Sequence, residues 1–110
     1  MNALLLAAAL ELASGAGGTA PPAATVHIKN FAFSPATMTV PTGTTVRFVN
    51  DDSEAHTVTA VDKSFDSAGL DSGDAWTYRF DAPGRFAYFC ALHPDMRGTV
   101  IARLPAGGEK

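Results

Sequence analysis

From residue 25 onward the chain alternates apolar and polar positions with a period of two, and clusters of turn-forming residues interrupt the alternation at short intervals. Val26 and Ile28, followed by Lys29, Asn30 and Phe31, predict a first strand, closed by the turn Ser34, Pro35 and Ala36. Met38 and Val40 alternate with threonines in a short second strand. Pro41, Thr42 and Gly43 make the next turn, and residues 44–50 form a strand with Val46 and Phe48 on one face. Residues 50–55 read as a polar loop and residues 56–61 as another β-branched, alternating segment. Residues 63–73 are irregular. Residues 75–80 set Trp76, Tyr78 and Phe80 against Ala75, Thr77 and Arg79. Asp81, Ala82, Pro83 and Gly84 form a turn, residues 85–90 a strand, and residues 98–103 the last strand. No stretch after the leader carries a helical period. Short strands at regular spacing predict an all-β fold, most simply a Greek-key β-sandwich.

The two ends read differently. Residues 1–24 divide into a short apolar run at 3–10 and a linker rich in Ala, Gly and Pro. Residues 25–104 form the domain, and residues 105–110 a flexible tail. The apolar run and the small residues after it, Ser14-Gly15-Ala16 and Gly18-Thr19-Ala20, are similar to the apolar and cleavage regions of a secretory signal. No Lys or Arg precedes the run, however, and Glu11 follows it closely. Export, to a periplasm or beyond, is the expectation. A chain of 110 residues suits one domain. Its formal net charge of -3, with no basic stripe, argues against a nucleic-acid partner. No apolar run is long enough to cross a bilayer, and a monomer is expected.

The candidate chemistry lies late in the chain. Cys90, the single cysteine, can form no intramolecular disulfide. By itself it would read as a small buried hydrophobe. Its neighbours change that reading: Cys90, His93 and Met96 place a thiol, an imidazole and a thioether at intervals of three, in a loop between two predicted strands. Pro94 stiffens this loop and Gly98 returns the chain to the sheet. A second imidazole, His56, stands at the start of an earlier strand, and loops of a sandwich collect at its poles. Structural zinc sites seldom use thioether and usually take more than one thiolate. Magnesium and calcium take oxygen. Two His and one Cys with a weak axial Met is the type 1 copper arrangement.

These residues resemble the cupredoxins, most closely the amicyanin, pseudoazurin and plastocyanin group. Residues 50–58, Asn-Asp-Asp-Ser-Glu-Ala-His-Thr-Val, are similar to the family's first ligand loop, and residues 83–90, Pro-Gly-Arg-Phe-Ala-Tyr-Phe-Cys, to its strand entering the ligand cysteine. Phe65, Asp66, Ser67, Leu70 and Gly73 match its irregular middle. The Cys-x-x-His-x-x-Met spacing is the short, amicyanin-like form of the ligand loop. One departure stands out: many members have Asn after the first histidine, where this chain has Thr57. The resemblance implies a single copper held by His56, Cys90, His93 and Met96, with Asn50, Thr57 and Pro94 around them. It also implies that His93 is the electron door, and that Leu92, Pro94 and Ala91, with Phe33 and Pro35, form an apolar patch on which a redox donor and acceptor dock transiently.

The resulting expectation is a small carrier of single electrons and not an enzyme, since no bond in a substrate is made or broken. A copper carrier or buffer using the same ligands is the alternative. His27 reads as a surface residue, and Met38 and the aromatics as core or sheet face. Asp51, Asp52 and Glu54 read as a solvated loop, with steering toward a basic partner as the competing reading.

Overall fold

The computed structural model describes residues 21–105, so the leader and most of the linker, and the tail beyond residue 105, lie outside the described residues. Eight strands follow one another: β1 Ala24–Lys29, β2 Ala32–Ser34, β3 Thr37–Pro41, β4 Thr44–Asn50, β5 Thr59–Ala60, β6 Ala75–Phe80, β7 Gly84–Cys90 and β8 His93–Arg103. They form two four-stranded sheets, ordered β2-β1-β4-β6 and β3-β8-β7-β5. The pairs β1–β4 and β3–β8 are parallel and the others antiparallel. This is the all-β sandwich that the alternation predicts, with no helix among the described residues.

The alternation works because successive side chains on a strand face opposite sides of its sheet. Val26 and Ile28 of β1, Val46 and Phe48 of β4, Tyr88 of β7 and Val100 of β8 are each at most 1% exposed, and together they make the core between the sheets. Burying side chains of this kind contributes roughly 1.5–3 kcal/mol each. Met38, Trp76, Tyr78 and Phe86 pack against this core while remaining partly exposed.

The boundaries differ from the sequence expectation in places that bear on the site. The first strand ends at Lys29, because Asn30 and Phe31 adopt φ of 55° and 58° and form a two-residue turn into β2. Left-handed φ at both central positions gives the twist that a tight hairpin needs, and Asn accepts it readily, while Phe seldom does. Most of the segment 56–61 is not ladder. His56 bridges to Leu70 and Val58 bonds to Ser67, so the paired strand is only Thr59 and Ala60, with Val61 N–H adding one bond to Ala87 O of β7 at 2.9 Å. The last strand begins at His93 rather than at residue 98, which shortens the ligand loop to the turn at residues 91–92.

Gly98 faces Tyr88 in register across β7 and β8, and the Tyr88 ring fills the space where a side chain at 98 would stand. That ring packs edge-on against Phe33 and Phe48, with centroids 4.8 and 5.5 Å away, so it has no room to retreat. A Cβ on Gly98 would overlap Tyr88 Cζ and Oη. Gly98→Ala is expected to destabilise the fold by about 3 kcal/mol, read from urea unfolding. Burial also pushes the Tyr88 phenol far above its ordinary value of 10. The folded chain therefore holds this proton more tightly than the unfolded chain. The stability that follows is complete below pH 10 and declines as pH rises beyond it. Tyr88→Phe should flatten the fall in Tm between pH 9 and 11, and an unchanged alkaline slope would refute this origin.

Candidate metal centre

Cys90 is the last residue of β7 and His93 the first of β8. The two face each other across the turn, just after a register shift between Phe89 and Cys90. This tight hairpin directs both side chains to one pole of the sandwich. His56 arrives on the connection from β4 to β5, which crosses between the two sheets. Its N–H donates to Leu70 O at 3.0 Å and its carbonyl accepts from Leu70 N–H at 2.8 Å, so its backbone is fixed and its ring fully buried.

At that pole the three donors converge. Cys90 Sγ lies 3.6 Å from His56 Nδ1 and 3.7 Å from His93 Nδ1. All three donor atoms lie within 4.8 Å of one another. Metal bonds of about 2.0 Å to nitrogen and 2.3 Å to sulfur, set at a trigonal angle, separate sulfur from nitrogen by about 3.7 Å. The observed spacing therefore suits one ion bound by all three side chains. Met96 is 5% exposed and belongs to the same buried cluster as Cys90. His56 and Cys90 are fully buried, and His93 is partly exposed.

The surrounding residues orient the donors. Asn50, fully buried, ties the first loop together: its Nδ2 donates to Glu54 O at 2.8 Å and Leu70 O at 3.0 Å, and its Oδ1 accepts from Asp52 N–H at 2.9 Å. Thr57 joins the loops. Its N–H donates to Cys90 Sγ at 3.3 Å and its Oγ1 accepts from Ala91 N–H at 2.8 Å. The hydroxyl thus links the two loops in this chain. Pro94 is exposed beside His93.

Two residues of the site were not legible as such. Asp52 is no solvated acid, since its side chain is only 10% exposed and its carboxylate is fully engaged. Oδ2 lies 2.9 Å from His56 Nε2 and accepts from Phe31 N–H at 2.9 Å, while Oδ1 accepts from Asn30 N–H at 2.7 Å. With Nδ1 turned to Cys90, His56 carries its proton on Nε2 and donates it to Asp52, which fixes both tautomer and ring angle. Burial raises the proton affinity of Asp52, but the N–H groups of Phe31 and Asn30 and the His56 ring outweigh it, holding the carboxyl below its ordinary range. Phe31 is the second. Its ring stands edge-on to both imidazoles, 5.1 Å from His56 and 4.9 Å from His93, and is 47% exposed. It takes the surface place expected of Phe33, which is instead buried against Tyr88 at 4% exposure because it lies on the inward face of β2. The available signal was Asn30, a residue tolerant of left-handed turns, next to Phe31. His27 is exposed as expected and pairs with Asp51 at 2.7 Å.

The sequence model of the family described as "Cupredoxin-like domain" matches residues 2–102. The chain belongs to the cupredoxin family. Amicyanin-alpha of Methylorubrum extorquens is 32% identical to this cupredoxin over 92% of the chain and 98% of its own length. A novel purple cupredoxin from Nitrosopumilus maritimus superposes with a TM-score of 0.69 at 30% identity, covering 73% of this chain and 99% of that one. A reduced amicyanin variant superposes with a TM-score of 0.71 at 25% identity, covering 79% and 88%. A copper-containing nitrite reductase from Thermus scotoductus matches with a TM-score of 0.72 and 30% identity, over 86% of this chain but 25% of that enzyme. The cofactor of this cupredoxin is one type 1 copper ion, and the soft, buried, closely spaced donors fit it. Among the described residues no helix is long and apolar enough to cross a membrane.

Asp52→Ala should free both the His56 ring and the Phe31 turn. The expected cost is about 2 kcal/mol in urea unfolding of the metal-free protein, together with loss of the Phe31 ring-current shift on the His93 proton signals. Retention of that shift would show that the turn stands without Asp52.

Proposed function

We propose that this cupredoxin is a soluble carrier of single electrons between redox proteins, not an enzyme, with His56, Cys90, His93 and Met96 as its copper ligands. The observation that carries the reading is the pair of Nδ1–Sγ separations, 3.6 and 3.7 Å, prearranged around a buried thiol. Bound there, copper supplies a one-electron couple between Cu(I) and Cu(II). The protein supplies the rest. Cys90 and Met96 offer soft sulfur, which favours the reduced ion, and the imidazoles suit both oxidation states. Thr57, Asp52 and Asn50 hold the donors in a single arrangement, so little has to move when the charge changes. The Thr57 N–H on Cys90 Sγ stabilises sulfur charge and so favours the electron-rich form.

His93 is the partly exposed ligand and the route to the surface. Leu92, at 56% exposure, with the exposed Ala91 and Pro94, surrounds it as an apolar face, and Phe31 extends that face beyond the ligand loop. A small apolar contact suits partners that must separate quickly. The apolar leader supports export, and we read the carrier as a periplasmic monomer. A copper carrier using the same ligands would need ready release, and a buried histidine anchored by a carboxylate disfavours that.

Adding Cu(II) to the purified metal-free protein should develop a strong blue thiolate-to-copper absorption that Cys90→Ala abolishes. A colourless wild type would overturn the assignment. Electron self-exchange, measured by NMR line broadening in mixtures of the two oxidation states, should be fast. Leu92→Lys should slow it at least about tenfold by opposing like charges in the encounter, leaving the absorption unchanged. Unchanged exchange would remove Leu92 from the docking face.

A further inference from the structure

The hydroxyl of Thr57 does not end at Ala91. Thr57 Oγ1 lies 2.8 Å from Thr59 Oγ1, and Thr59 Oγ1 lies 3.2 Å from Asp66 Oδ1. The direction of every bond in this row is determined. An ionised carboxylate can only accept, so Thr59 gives its one hydroxyl proton to Asp66. Thr59 then has none left for Thr57, so Thr57 donates to Thr59. The lone pairs of Thr57 remain for the Ala91 N–H, which donates to them at 2.8 Å.

Asp66 is itself held in place. Thr59 and Asp66 form an isolated antiparallel bridge. Ala68, with a left-handed φ of 60°, turns its N–H onto the same Oδ1 at 2.9 Å. Val58 between the threonines is bound to Ser67 in both directions: its N–H donates to Ser67 Oγ at 2.8 Å, and its carbonyl accepts from Ser67 N–H at 2.9 Å. The row therefore rests on a braced pair of segments.

We propose that Thr59 and Asp66 are positioning residues for the redox centre, acting through Thr57 as a polarised row of hydroxyls that ends on the peptide following Cys90. This rests on the electron-carrier reading of the site. Each O–H dipole in the row points its negative end toward Ala91, and the carboxylate at the far end enforces that order. Hydrogen bonds in series strengthen one another, so the Ala91 N–H bond is stronger than an isolated threonine would make it. The row clamps the exit of the ligand strand and directs negative potential at the cysteine peptide. Extra negative charge arriving on the copper–thiolate unit is thereby disfavoured, so the row lowers the reduction potential.

The test compares Thr59→Val, Asp66→Asn, the double variant and Thr59→Ser in the copper-loaded full chain, with the metal-free forms in parallel. Thr59→Val and Asp66→Asn should each raise the reduction potential. Thr59→Ser, which keeps the hydroxyl, should leave it at the wild-type value. The double variant should shift it no further than Thr59→Val alone, because residues acting along one row are not additive. In the metal-free protein the Ala91 amide should exchange with solvent about fivefold faster in Thr59→Val than in wild type, the loss expected from a weakened hydrogen bond. A Thr59→Val potential equal to wild type would overturn the proposal. So would additive shifts in the double variant, which would mark Asp66 as a charge acting through space. Unchanged Ala91 exchange would overturn it even if copper failed to bind, whereas a wild type that takes up no copper would overturn the electron-carrier reading instead. If Thr59→Val does not fold, Asp66→Asn against wild type decides by the same exchange and potential criteria.

Discussion

The backbone N–H of Thr57 reaches Cys90 Sγ across 33 residues of sequence, and the hydroxyl of the same residue receives the N–H of Ala91. Through these two bonds the first histidine's segment and the cysteine hairpin become one rigid body. A buried thiol without them would be a desolvated sulfur free to rotate away from the imidazoles. With them, Cys90 can point only where His56 and His93 also point. The redox chemistry depends on that constraint, because a centre that keeps its shape has little to rearrange when an electron arrives.

On the opposite side of His56 a carboxylate plays a comparable part. Asp52 binds the His56 ring and the two N–H groups of the Asn30–Phe31 turn at once. One acid thus couples the ligand to the hairpin joining β1 and β2, and it supports an aromatic ring over both imidazoles. The strained backbone at Phe31 is offset by charge-assisted hydrogen bonds to that acid. A surface turn and the interior of the metal site are therefore not independent, although they come from different parts of the chain.

The strands and the donor set were legible because each is written locally. Val26, Ile28, Val46 and Phe48 alternate, and Cys90, His93 and Met96 fall at equal intervals. What escaped was written at long range. Phe31 falls out of phase with Val26 and Ile28, and only the acid at position 52, reached through tertiary structure, holds the turn that sets its ring beside both imidazoles. Asp52 looks like its acidic neighbours Asp51 and Glu54, and nothing local distinguishes the one that holds a buried ligand ring from the one that pairs with the exposed His27. Phe33 looked as available as Pro35 until β2 proved to be a strand with an inward face. Likewise, residues 56–58 alternate as a strand would, yet their backbone groups bond to Leu70 and Ser67 instead of a ladder. Leader and tail stand outside the described residues and so remain sequence expectations.

The parallel pairing of β3 with β8 joins residues 37–41 to residues 99–103, from opposite halves of the domain. Such a contact cannot zip up from a neighbouring hairpin. A long loop must close before any reward is gained, which makes assembly slow for a chain of this size. The strand that makes this distant pairing, β8, also begins with His93, which meets Cys90 across the local β7–β8 turn. Cys90, His93 and Met96 are neighbours in sequence from the start, whereas the buried His56 joins them only through tertiary structure, so the complete donor set exists only in the folded chain.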